Sequence, residues 1–318
     1  MDAGHKYADQ VLAQLAKQIA EDLNKTGKSV QEKIRKYLLK HKDLIDDLYE
    51  QLENGEITEL EYSQQMSKAL TVGKEWISLR NSVSNDMCNG METALKATGS
   101  ALAAIYLYNR TFTNQRIKQA LKRKRRVVFS KVKGKQIVPK IPNRKKNWRW
   151  HNKKIESVVR QGMRKGQSID KIAGSIKRVT GMDRGSAIRT ARTAVTGAEN
   201  SARIDSFEEA SNMGIDMIKE WYATKDSRTR TSHRLIDGEK VPWNEYFSNN
   251  LYYPGDPDGD PAEVYNCRCT LKGSADGISL EDVPNAPEGK TREEWIAEKP
   301  IPKHYGESKS HYNKRVSG

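Results

Sequence analysis

Three residues in the last third of the chain have the types and spacing of a metal site. Cys267 and Cys269 stand one residue apart, and His233 lies upstream of them. Thiolate and imidazole are ligands that zinc takes, in closed sets of four when the ion is structural. Three ligands leave one place to fill, for which Asp226 and Asp237 are the oxygen candidates. The plainer reading of the same residues is a small buried thiol pair beside a hydrogen-bonded histidine. That is the expectation here, with no cofactor required. A catalytic cysteine–histidine pair would also need donors placed to hold an oxyanion, and no segment offers them. There is no Walker-type glycine loop and no H-E-x-x-H. The run PGDPDGDP (254–261) spaces its aspartates as a calcium loop does, without the helical flanks and closing glutamate of an EF-hand. The chain reads as a non-enzyme.

A second chemistry is electrostatic. The 318 residues include 56 Lys and Arg against 41 Asp and Glu, a formal net charge of +15. Residues 94–155 hold no acid and 19 of the cations, more than the whole excess, so the remainder is slightly acidic. Lys122, Arg123, Lys124, Arg125, Arg126, Lys131, Lys133, Lys135, Arg144, Lys145, Lys146 and Arg149 are therefore candidates for contacts with the phosphates of double-stranded DNA or with an acidic partner surface. A solvated arm is the bland alternative, but so long a stretch without one acid is unusual for a linker. Trp148 and Trp150 could stack on exposed bases, though such residues more often sit in a core.

These residues need elements to hold them. Apolar positions at helical spacing run from Tyr7 to Leu23, from Val30 to Leu48, and from Trp76 to about Arg110. Gly27, Gly55 and Gly73 punctuate them, and Thr58 with Glu61 predicts a capping box. Residues 126–141, with a β-branched run and Pro139, and with Pro142 just beyond, predict a strand or extended linker. Helix resumes near Trp148, ends at Gly166, restarts at Ser168 and stops at Gly181. Asp183 is expected to cap an alanine-rich helix closing at Gly214. Residues 215–224 alternate as a strand does, and further short strands are expected near 240–243 and at 267–272. The fold class is α+β: a mainly helical N-terminal region, then a small helix-plus-antiparallel-sheet domain. The expected divisions are 1–114 helical, 115–147 basic and extended, 148–273 the small domain, and 274–318 a polar tail with Trp295 as its large anchor. Three cysteines argue against a disulfide framework. The N-terminal residues lack the apolar core of a signal peptide, and the longest apolar run, 101–108, is too short to span a bilayer.

Local chemistry accounts for several residues of the small domain. Asp226 before Arg228 and Thr229 suits an Asx turn whose carboxylate pairs with an arginine, Arg189 or Arg192 being candidates. Asp237-Gly238 reads as a tight turn. Around Arg268 the two cysteines should point one way and the arginine the other, with Asn266 bonding nearby backbone.

The ordered set AIRTARTAVTGAENSAR (187–203), WYATKDSRTRTSHRLIDGE (221–239) and YYPGDPDGDPAEVYNCRCTL (252–271) resembles the C-terminal domain of the Mu F-like head morphogenesis proteins of phages. The shared positions are Arg189, Arg192 and Thr193; Trp221, Asp226, Arg228 and Thr229; His233; Asp237 and Gly238; and Asn266, Cys267, Arg268 and Cys269. The resemblance is good from Trp148 to Leu271 and only suggestive upstream. Relatives often carry Cys-x-x-Cys where this chain has Arg230 and His233, and a histidine where it has Val264, so the family's full ligand set is not retained. The resemblance implies a minor capsid protein in the virion head, made in the host bacterial cytoplasm. Its implied partners are the phage portal protein and the major capsid or scaffold protein, with no membrane. The expected rivals are a standalone basic DNA-binding protein and a delivered effector, since Mu F-like domains occur fused to toxins.

Overall fold

The structure, a computed structural model, describes residues 2–281. Five helices come first: α1 (Ala3–Lys40), α2 (Lys42–Glu53), α3 (Glu59–Thr71), α4 (Lys74–Lys96) and α5 (Gly99–Leu121). An extended segment leads to α6 (Arg144–Arg164) and α7 (Ile169–Asn212). Then follow β1 (Met217–Tyr222), α8 (Thr231–Leu235), β2 (Lys240–Pro242), α9 (Pro261–Val264), β3 (Thr270–Ala275) and β4 (Ile278–Ser279). The class is α+β, as expected. The residues group into two compact units: 17–95 with 141–187, and the described parts of 1–16, 96–140 and 188–318. Among the described residues no helix is long and apolar enough to cross a membrane.

The first unit is entirely helical. Its core joins Ile34 and Leu38 of α1, Met66 and Leu70 of α3, Trp76 and Val83 of α4, Ile155 and Val159 of α6, and Ile172 and Ile176 of α7. The Thr58–Glu61 capping box is complete. Two expected breaks do not occur. α1 runs through Gly27, where an added Cβ would lie 3.0 Å from the Thr180 hydroxyl. The glycine makes room for helix α7, and packing outweighs its cost of roughly 1 kcal/mol in helix propensity. α7 likewise runs unbroken through Gly181 and Asp183. Asp183 therefore caps nothing; its carboxylate is taken by His151.

The second unit holds the sheet, ordered β2-β1-β3-β4 and antiparallel throughout. Met217, Lys219 and Trp221 of β1 face inward and alternate with half-buried neighbours. Gly273, opposite Lys219, has no room for a side chain because Phe207 of α7 packs there, 2.6 Å from where its Cβ would be. α7 thus lies directly on the sheet. The strand expected at 267–272 begins at Thr270 and continues to Ala275, because Asn266, at φ 61°, turns the chain first. β4 carries the sheet beyond the boundary expected at 273; Trp295 and the rest of the polar tail lie outside the described residues. The basic segment is extended, without strand pairing. Its Val127 and Phe129 are buried with Ile117, Leu121, Trp221 and Leu271, so it is packed rather than loose. Ser130 adds hydrogen bonds from its amide and hydroxyl to Glu209.

Candidate functional site

One face of α7 clamps the residues before β3. The Thr193 hydroxyl accepts from the Asn266 amide at 2.9 Å. Thr196 donates to the Cys267 carbonyl at 2.8 Å. The Asn200 side chain donates to the Pro254 and Cys269 carbonyls and accepts from the Leu271 amide at 2.9 Å. Arg192 donates to the Asn266 side chain. These residues recur at helical spacing, so α7 offers a polar ladder that satisfies an irregular backbone. Thr196 and Asn200 had not been singled out; their spacing from Thr193 was the available signal.

The expected partner of Asp226 is corrected. Neither Arg189 nor Arg192 reaches it. Arg268 binds it in a two-pronged contact, with Arg228 3.5 Å away. The Arg268 hydrogen bond, working against desolvation, holds the Asp226 carboxyl well below the usual carboxylate range. The Asx turn is present, with the Arg228 amide donating to Asp226 at 2.9 Å. Thr229 closes the turn by donating to the Thr224 carbonyl. Asp237 accepts from the Ala223 amide at 2.9 Å, and Gly238 has φ 87° in the tight turn. Asp226 and Asp237 are thus committed and do not complete a metal site.

His233, Cys267 and Cys269 do converge. His233 Nδ1 lies 3.7 Å from Cys267 Sγ and 3.5 Å from Cys269 Sγ, and all three side chains are buried. Cys267 and Cys269 turn inward while Arg268 turns out to Asp226, although these residues are not in regular strand. The Trp221 ring stands edge-on to His233, centroids 5.0 Å apart. On the other side His233 Nε2 is 2.9 Å from the Glu263 carboxylate, which also accepts from Ser232. The thiols act as a pair. Accepting the Cys267 hydrogen bond, and then facing His233, draws Cys269 below the ordinary thiol value. Cys267 is pushed up by that same bond and by burial.

Zinc bonds of about 2.1 Å to nitrogen and about 2.3 Å to sulfur, at tetrahedral angles, put N and S roughly 3.6 Å apart. The observed 3.5 and 3.7 Å fit, and a carboxylate on the far imidazole nitrogen is the usual support of a ligating histidine. His233, Cys267 and Cys269 would hold such an ion. Cys267 and Cys269 are each 2% exposed, which leaves neither thiol open to a substrate.

Two buried networks were not anticipated. Arg203 of α7 pairs with Asp2 at 2.7 Å and with Glu199 at 3.1 Å. Glu199 also accepts from Thr270 and from His5. Burial lowers the His5 pKa, but the charge and hydrogen bond of Glu199 override it and push it up to about 9. In the helical unit, His151 lies between Cys88, 3.5 Å from Nδ1, and Asp183, 2.8 Å from Nε2. Burial pushes the Cys88 thiol up to about 11.

The basic candidates divide. Arg125 pairs with Asp276, Lys135 with Asp205 and Arg144 with Glu92, and Lys124 donates to the Asp276 carbonyl. Lys122, Arg123, Arg126, Lys131, Lys133, Lys145, Lys146 and Arg149 are exposed.

Residues 153–272 match the family model described as phage Mu protein F like protein. The chain is 32% identical over 152 residues to NAD(+)–arginine ADP-ribosyltransferase EFV of Enterococcus faecalis, covering 46% of this chain and 31% of that protein. It is 29% identical over 126 residues to minor head protein GP7 of Bacillus phage SPP1, covering 39% of this chain and 41% of that one. The uncharacterized protein YqbB of Bacillus subtilis is 28% identical over 139 residues, covering 40% and 45%. The chain therefore spans less than half the length of each of these relatives. No solved structure matches. Over residues 153–272, this chain is similar to the phage Mu protein F-like family.

Proposed function

We propose that the protein is a structural minor head protein of a tailed phage, associating with the portal and head and contacting DNA during packaging or delivery. The observation that carries this reading is the Mu F-like region itself, whose motif residues serve to hold backbone and core together. Asp226, Arg268, Thr193, Asn266 and Asp237 are all spent on internal bonds, which suits a rigid assembly part. The likeness to minor head protein GP7 supports it. The ADP-ribosyltransferase likeness covers 31% of that enzyme and is not carried over as an activity. Transfer of ADP-ribose from NAD to arginine by the purified chain would overturn the non-enzymatic reading.

Quantitative mass spectrometry of purified procapsids and mature particles tests the head role. A few copies per portal ring, with cross-links to the portal, are expected. Absence from both particles would sink the head role and leave a free nucleic-acid binder. A second reading rests on the His233–Cys267–Cys269 distances alone: the domain takes one zinc ion that fixes the segment before β3 to α8. Zinc content by mass spectrometry of the intact protein, before and after Cys269→Ser, checks it.

A further inference from the structure

Helix α6 carries a basic groove that the acid-free run only partly covers. Arg149, Lys153, Arg160 and Arg164 follow one another at intervals of four, seven and four, with Glu156 between. That spacing puts them on one helix face, away from Ile155, Val159 and Met163, which enter the core. With Arg80 of α4 and the Trp148 ring they line an open groove of about 530 Å³. Glu156, the only acid in the groove, is held between Arg80 and Arg160. It cannot neutralise the rest. Arg80 Nε and Arg160 Nε are buried there without a hydrogen-bond partner, and Arg149 and Lys153 meet no acidic group among the described residues.

We propose that this groove binds the phosphate backbone of duplex DNA without reading sequence. The inference rests on the DNA-contact part of the proposed function but shifts the centre of the contact from residues 122–149 to the α6 residues 149–164. Guanidinium forks match phosphate oxygens, and the strip runs roughly 22 Å along the helix. The lining is polar apart from Trp148. An acidic protein partner would need apolar anchors that the groove does not offer, and single-stranded binding would need more than one stacking ring.

Fluorescence anisotropy of the full chain with a mixed-sequence duplex, across a salt series, tests the proposal. The triple change Arg149→Ala, Lys153→Ala, Arg164→Ala should flatten the slope of log affinity against log salt by about 2 to 3. Arg149→Ala alone, at an exposed residue, should flatten it by about 1. Lys122→Ala with Arg123→Ala and Arg126→Ala should change it less than the α6 triple. Slopes unchanged by both α6 variants, while the wild type still binds, would overturn the groove and leave the DNA reading with the 122–126 cluster. Failure of the wild type to bind duplex would overturn both. Displacement of the duplex by polyglutamate at equal charge concentration would replace phosphate with an acidic protein partner.

Discussion

Each unit of the molecule buries a histidine with sulfur on Nδ1 and a carboxylate on Nε2, and the two arrangements differ by one thiol. His151 meets Cys88 and Asp183. His233 meets Cys267, Cys269 and Glu263. The first is a closed hydrogen-bonded relay inside a helical core, its carboxylate 6% exposed. The second is a three-cornered cage with metal-ligand distances, backed by a carboxylate that is 26% exposed. One additional cysteine therefore separates a packing device from the cluster proposed to hold zinc. A third buried histidine, His5, faces the carboxylates of Glu199 and Asp9.

The largest effect expected from this comparison is at His5. Its folded pKa stands near 9, above the ordinary value of 6.5. A raised pKa gives stability that is fully present below pH 6.5 and lost as pH rises through about 9. The linkage is of order 3 kcal/mol. Lys219 complicates a simple pH scan: burial pulls it down to about 7, so it contributes a rise in stability between pH 7 and its ordinary value of 10.5. The readout is therefore the difference in urea unfolding between wild type and His5→Gln. It should be large at pH 6 and shrink by pH 9.5; an equal difference at both would refute the ionised pair. The zinc comparison ranks next. Zinc at a hundredfold excess over its dissociation constant should raise stability by about 2.7 kcal/mol. Cys88→Ser should keep that gain and Cys269→Ser should lose it. A gain retained by both variants would place any metal elsewhere.

Much of this was legible from residues 187–272 alone. The turn at Asp237-Gly238 and the alternation of β1 follow from local rules of backbone and period, so a sequence carries them directly; the inward cysteines match the expectation although they lie outside β3. The Thr58–Glu61 capping box is legible for the same reason. What misled was long-range. Gly27 and Gly181 look like helix stops, yet at Gly27 the requirement is close approach of another helix, which no local pattern records. Asp183 looks like a cap because the histidine that claims it is 32 residues away. Asp226 found Arg268 rather than the helix arginines because Asn266, in a left-handed conformation, turns the chain there. The charge of α6 was visible as composition, but its collection into a groove depends on Arg80 from a separate helix.

The smallest expected effect is the sharpest test of the contrast between the two histidines. Removing Asp183 takes away the hydrogen-bond partner of His151 Nε2, whereas Glu263 makes only an ion-pair contact with His233 Nε2, and the cost depends on whether water can replace the carboxylate. Asp183 is buried beside His151, so Asp183→Ala should lower stability by about 2 kcal/mol. Glu263 is partly exposed, so water can reach its place, and Glu263→Ala should cost less than about 1 kcal/mol without metal. With zinc present the order narrows: if His233 is a ligand, Glu263 orients it, and its loss should weaken zinc binding about tenfold or more while Asp183→Ala leaves zinc affinity unchanged. Chemical unfolding with and without zinc measures both quantities on the same variants. Equal costs for the two substitutions without metal would mean that burial is not what separates the sites. An unchanged zinc affinity in Glu263→Ala would remove His233 from the ligand set.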